Sequence, residues 1–274
     1  MNALSQAYFE DGFGVIPAFA TPTEVAALRA RADALLADFD PASVPRSIFS
    51  TGADRQVNDA YFLASSAKIA FFFEPGAFDA QGRPTVEKAF SINKIGHALH
   101  ALDPVFKAFS FQPRVQDIAR ALGYKSPLLA QSMYIFKQPG IGGYVAPHQD
   151  STFLYTEPMS CCGLWIALQD ATEENGCLWV VPGSHRHGIE QRFVRREQGT
   201  AFVALGGGSK DTHFVPLPVT AGTCVVLHGA LVHKSEQNHS PMSRHAYSLH
   251  FTETVQTQYA PDNWLQSGAF EALY

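Results

Sequence analysis

From Leu128 onward the chain alternates apolar and polar positions over short runs punctuated by Gly, Pro, Asn and Asp, the period-two pattern of half-buried strands. The runs Ser132–Lys137, Val145–Asp150, Gly163–Gln169, Cys177–Val181, His213–Val219, Thr223–His228 and Ala246–Thr252 are predicted strands, with strong turns at 170–176 and 182–185. Many short strands at this spacing describe a mainly β protein, a sandwich or jelly roll. The first half reads differently. Thr21-Pro22-Thr23-Glu24 carries a capping threonine, a proline suited to the first helical turn and a glutamate three after the cap. Val25, Leu28, Ala32 and Leu35 then follow at helical spacing, predicting a helix to about Phe39.

Phe9–Phe19 reads as a short β-like run broken by Gly12 and Gly14. Ile69–Phe73 and Val86–Phe90 read as two more strands, and the triple phenylalanine at 71–73 as core. Asn93–His97 leads into helical segments around Ala98–Phe109 and Val115–Leu122, while 40–56, rich in turn residues, reads as a loop able to serve as a lid. Neither a linker nor an internal repeat divides the chain. The expected organisation is one unit over 1–274, with helical and lid elements in 1–127 and the main jelly-roll half in 128–256.

Composition narrows the class. With 46% hydrophobic and 16% charged residues and a formal net charge of -5, the 274-residue chain is globular and offers no clustered cations for nucleic acid or an anionic membrane. No secretory signal or transmembrane run is visible. Cys161, Cys162, Cys177 and Cys224 form no C-x-x-C pair and read as buried thiols in a reducing cytoplasm.

Candidate chemistry centres on Pro147-His148-Gln149-Asp150. Side chains two apart on a strand share a face, so His148 and Asp150 can reach one ion while Gln149 points away. His233, brought alongside by a later strand, would complete a two-histidine, one-carboxylate facial triad suited to non-haem Fe(II). Arg244, eleven residues on, could grip the far carboxylate of a chelating 2-oxo acid through its planar fork. His185 and His187 share the ligand spacing but lie at a Pro-Gly-Ser turn, which favours structural hydrogen bonding. His228, five before His233, faces oppositely only if one strand continues through the Gly229-Ala230 break, and His97, His100, His213, His239, His245 and His250 have no nameable partner. Phe153, Tyr155 and Met159 follow Asp150 closely enough to line a substrate pocket.

These motifs, with Glu174-Asn175-Gly176-Cys177-Leu178-Trp179, Pro182-Gly183-Ser184-His185, and His233-Lys234-Ser235 with Asn238, Ser240 and Arg244, resemble the phytanoyl-CoA dioxygenase family over nearly the whole chain. The long runs Ser91–His100 and Gln131–Pro139 resemble one subgroup of it. The resemblance implies a double-stranded β-helix with N-terminal helices, using Fe(II), 2-oxoglutarate and O2. It places the iron ligands on His148, Asp150 and His233 and the far 2-oxoglutarate carboxylate on Arg244, supported by Ser235. Lys94, Met133 and Trp165 match further positions around the cosubstrate. The implied reaction is decarboxylation of 2-oxoglutarate to succinate with hydroxylation of a small or lipid-like molecule. Related halogenases replace the carboxylate ligand with a small residue, and Asp150 is kept here. A metal- and 2-oxoglutarate-binding sensor that hydroxylates nothing is the alternative. The expected assembly is a monomer.

Overall fold

The computed structural model describes residues 3–48, 60–197, 199–266 and 268–274. An eight-stranded antiparallel sheet runs, in spatial order, Phe13–Ile16, Cys224–His228, Cys162–Ala167, Ala246–Glu253, Pro127–Ile135, Ile92–His97 and Ile69–Phe73, with Glu271–Ala272 also pairing onto Pro127–Ile135. A four-stranded sheet, ordered Val215–Leu217, Leu178–Val180, His233–Ser235 and Val145–His148, makes the second layer. This is the expected jelly roll.

Strand periodicity sorts the core into layers. Leu164, Ile166, Val226, Tyr247 and Leu249 face outward and pack with Leu28, Ala32, Phe106, Phe109 and Ile118 of the helices. Their neighbours Trp165, Ala167, Val225, Leu227 and Ala246 face inward, against Leu178 and Val180 of the smaller sheet. Helices therefore seal one face of the large sheet, and the mouth between the sheets is left for chemistry.

The Pro22–Asp38 helix forms as its capping box dictates: Thr21 Oγ1 accepts from Glu24 N, and Glu24 Oε2 accepts from Thr21 N. The predicted strands of the second half appear with ends displaced by a few residues. Three expectations are corrected. Phe9–Asp11 belongs to an Ala3–Asp11 helix, and the strand begins only at Phe13, after Gly12 turns the chain at φ 87°. Val86–Phe90 is not a strand, because a short helical turn spans Lys88–Ser91. The strand lies just beyond, at Ile92–His97, where the chain pairs with neighbours on both sides. A Gln191–Arg195/Thr200–Ala204 hairpin was not anticipated. The triple phenylalanine is core, Phe71 and Phe73 facing the helices and Phe72 the opposite side. Of the suggested lid, 49–56 lies outside the described residues, while Ile48 bridges to Phe73.

Candidate metal and 2-oxo acid site

His148 ends one strand of the small sheet and His233 begins its neighbour, and the two are paired in register. The strand stops at His148, so Asp150 opens a short 3-10 turn rather than continuing the extended run. The carboxylate still comes to the same side. Asp150 Oδ1 lies 3.8 Å from His148 Nε2 and 3.7 Å from His233 Nε2, within the roughly 4.2 Å that two donors about 2.1 Å from one ion can span. Among the described residues these three form the group able to hold a metal, all ligand atoms within 4.8 Å of one another.

Both imidazoles are oriented by the same local device. His148 Nδ1–H donates to Ala146 O at 2.9 Å and His233 Nδ1–H to Leu231 O at 3.0 Å. Each ring is thereby fixed in the tautomer whose Nε2 lone pair faces the cluster. Burial, and next the neighbouring His233, pushes the His148 pKa down to about 3, keeping it neutral and able to ligate. Burial alone would raise the Asp150 pKa, but His250, His233 and His148 outweigh it and hold the carboxyl well below its ordinary range.

Arg244 is 2% exposed. Its Nε donates to Gly176 O and its Nη2 to Ser235 Oγ, itself donating to Gly176 O, while the guanidinium lies 5.1 Å from the Trp165 ring centre. Burial lowers its pKa to about 10, so it stays charged at neutral pH. Its Nη1 has no hydrogen-bond partner, and among the described residues no carboxylate lies within ion-pair distance, Glu74 attracting it only from further off. A buried cation without a counter-ion is costly, and an anion of the ligand would relieve it. Asn238 holds the turn that delivers Arg244, donating to Lys137 O and Met242 O while accepting from Ser240.

The triad, Arg244, Ser235, Lys94, Met133 and Trp165 line a single cavity of about 150 Å³. Lys94 is buried with Nζ 3.4 Å from Met133 Sδ, and burial drives its pKa well down. The donor set fits a ferrous ion, and the unpaired guanidinium fits a dicarboxylate. Glu74, fully buried, accepts from Asn93 Nδ2 and from the backbone N–H of Gly143, clamping the loop that leads into Val145–His148.

Other expectations divide. Phe153 lines the cavity; Met159 is exposed and Tyr155 packs beneath Arg192, so neither lines it. His185 bonds to Phe9 O and lies tilted against the His228 ring, away from the triad. Four of the histidines for which the sequence names no partner have one, His245 Nδ1 meeting the Tyr134 hydroxyl at 2.8 Å. His97 meets Ser65, His100 meets Ser132 and Ala269 O, and His250 lies 3.3 Å from Asp150 Oδ2. The signal for His250 was present, since Ala246, Ser248 and His250 share one face of the strand that follows Arg244.

A jelly roll with a two-histidine, one-carboxylate cluster at its mouth and a buried arginine beside it has the architecture of 2-oxoglutarate-dependent oxygenases. The chain belongs to the phytanoyl-CoA dioxygenase (PhyH) family, which it matches over residues 8–246. It is 49% identical over 266 residues to phytanoyl-CoA dioxygenase domain-containing protein 1 of Mus musculus, covering 94% of this chain and 91% of that relative. It is 48% identical over 268 residues to a phytanoyl-CoA dioxygenase of Arabidopsis thaliana, covering 97% and 94%. Among solved structures, the S. alaskensis EctD with bound Fe matches with TM-score 0.66 at 23% identity over 100% of this chain and 86% of that one. The non-heme alpha ketoglutarate dependent carbocyclase SnoK from nogalamycin biosynthesis matches with TM-score 0.66 at 21% identity over 99% and 97%. Among the described residues no helix is long and apolar enough to cross a membrane.

Proposed function

We propose that this protein is an Fe(II)- and 2-oxoglutarate-dependent dioxygenase that hydroxylates a small or lipid-like organic molecule, releasing succinate and CO2. The observation that carries the reading is a fully buried guanidinium, with Nη1 unbonded and no carboxylate among the described residues at ion-pair distance, in the same cavity as the triad. His148, Asp150 and His233 hold the iron; Arg244, with Ser235 at its Nη2, takes the far carboxylate of 2-oxoglutarate. Bound iron with 2-oxoglutarate supplies O2 activation coupled to oxidative decarboxylation. The chain's own residues prepare the rest. The Nδ1–H bonds to Ala146 O and Leu231 O keep both Nε2 atoms unprotonated, and Asp150 offsets charge at the centre. Trp165 closes over the guanidinium, excluding water from the acid's anchor, and Lys94 and Met133 border the cosubstrate.

Cavity size limits what enters. At roughly 10–15 Å³ per water-sized unit, about 150 Å³ holds the oxo acid and the reacting portion of a substrate. Anything as large as a CoA carrier must stay outside the space bounded by the described residues. The compartment is the cytoplasm, whose reducing conditions suit the four buried free thiols.

The test is succinate formation by the purified chain with Fe(II), ascorbate and 2-oxoglutarate. Asp150→Ala and His148→Ala are expected to abolish it. Arg244→Ala is expected to weaken 2-oxoglutarate binding by roughly 2–3 kcal/mol, the scale of a lost charged hydrogen-bonded contact. Undiminished succinate formation by Asp150→Ala removes the proposal. Tight 2-oxoglutarate binding with no succinate formation by the wild type replaces it with the sensor reading.

A further inference from the structure

The two oxygens of Asp150 have different surroundings. Oδ1 faces His148 and His233, at 3.8 and 3.7 Å, whereas Oδ2 turns away, is buried without a formed hydrogen bond, and has His250 Nε2 as its neighbour at 3.3 Å. His250 reaches it from the Ala246–Glu253 strand of the large sheet, so the contact joins the two layers of the jelly roll. Gly163, directly opposite His250 on the adjacent strand, makes room for the pair. A Cβ on Gly163 would stand 3.0 Å from Asp150 Oδ2 and 3.4 Å from the His250 ring. His250 is 5% exposed and borders the cavity.

We propose that His250 is the positioning residue of the metal centre: from 3.3 Å its Nε2–H closes onto the otherwise unpartnered Asp150 Oδ2, so that the carboxylate offers the ion Oδ1 alone. The inference rests on the reading that His148, Asp150 and His233 bind the metal. A carboxylate with a free second oxygen can rotate and chelate, taking a coordination position that a bidentate oxo acid and O2 need. Holding Oδ2 in a hydrogen bond blocks that rotation and orients Oδ1 between the two imidazoles.

The probe is Co(II) added to the metal-stripped full chain, read by calorimetry and by the visible absorption of the bound ion, with no turnover required. His250→Leu is expected to weaken Co(II) binding by about 10–100-fold and to alter the intensity and shape of the absorption. His250→Gln, whose amide N–H reaches the same oxygen, is expected to restore the wild-type spectrum, and His250→Asn, too short, to fail to. Gly163→Ala, which leaves His250 in place but crowds Oδ2, is expected to change the spectrum in the direction of His250→Leu. A purely structural role would lower apo stability without moving the spectrum of the folded fraction. Should the leucine variant fail to fold, the glutamine and asparagine pair decides. Wild-type Co(II) affinity and spectrum in folded His250→Leu, or in His250→Asn, would overturn the role while leaving the metal site intact. Absence of Co(II) binding by the wild type, or binding indifferent to His148→Ala, would instead remove the metal reading beneath it.

Discussion

At the scale of single residues, the centre is built from side chains whose rotations are restricted by backbone oxygens. Ser235 illustrates how small a group can matter. Its hydroxyl donates to Gly176 O and accepts from Arg244 Nη2, so it ties the guanidinium to the same carbonyl that Arg244 Nε contacts. Ser235→Ala is expected to raise the 2-oxoglutarate Kd about 5-fold, on the order of 1 kcal/mol for one hydrogen bond, with little change in Tm. An unchanged Kd by calorimetry would assign the serine to packing. The convergence of His148, Asp150 and His233, with Arg244 in the same cavity, was legible because spacing of two residues and the answering His-Lys-Ser run constrain geometry before any coordinates exist. His250 was not picked out, because a histidine alone has no motif; its strand phase with Ala246 and Ser248 is informative only once that strand's inward face is known. His97 and His100 escaped for a different reason, since their partners Ser65, Ser132 and Ala269 are remote in sequence.

At the scale of elements, local chemistry written into consecutive residues was readable and long-range pairing was not. The Pro22–Asp38 helix follows from its cap, while Asn93–His97, expected to lead into helix, is strand although Asn93, Lys94 and Gly96 have poor strand propensity. Pairing on both sides overrides that preference. Glu24 shows what the cap contributes. Although partial burial raises its pKa, bonds from Arg114 and from the Thr21 backbone and hydroxyl bring it down to about 2. A carboxylate depressed in the fold contributes its stability above the unfolded value, near 4.5, and loses it as pH falls toward 2. With the side chain 26% exposed, Glu24→Gln is expected to cost about 0.5–1 kcal/mol at pH 7. The difference between variant and wild type in urea unfolding should shrink between pH 4.5 and 3; a constant difference would refute the charge-based account.

At the scale of the whole molecule, buried neutral histidines couple stability to acidity. His100 accepts from Ser132 Oγ through Nδ1 and donates to Ala269 O through Nε2, linking the large sheet to the C-terminal segment. Burial pushes its pKa down to about 4, against the opposing pull of Ala269 O. The unfolded chain therefore takes up this proton first, near pH 6.5. Its contribution is whole above that value and declines, by about 3 kcal/mol, as pH falls toward 4. His100→Gln is expected to unfold in urea with a shallower loss of stability from pH 7 to 4.5 than the wild type. Equal slopes would exclude His100 as the sensor of acid.

The sheet order has a practical corollary. Strands Phe13–Ile16, Ile69–Phe73 and Ile92–His97 lie in the same sheet as the strands of the second half, and Glu74 clamps the loop before His148. The N-terminal residues are thus woven into the reaction chamber rather than draped around it. A minimal catalyst trimmed to 128–256 would forfeit Lys94, the Glu74 clamp and the flanks of the larger layer together, so shortening this enzyme from its front end removes the workshop wall along with the porch.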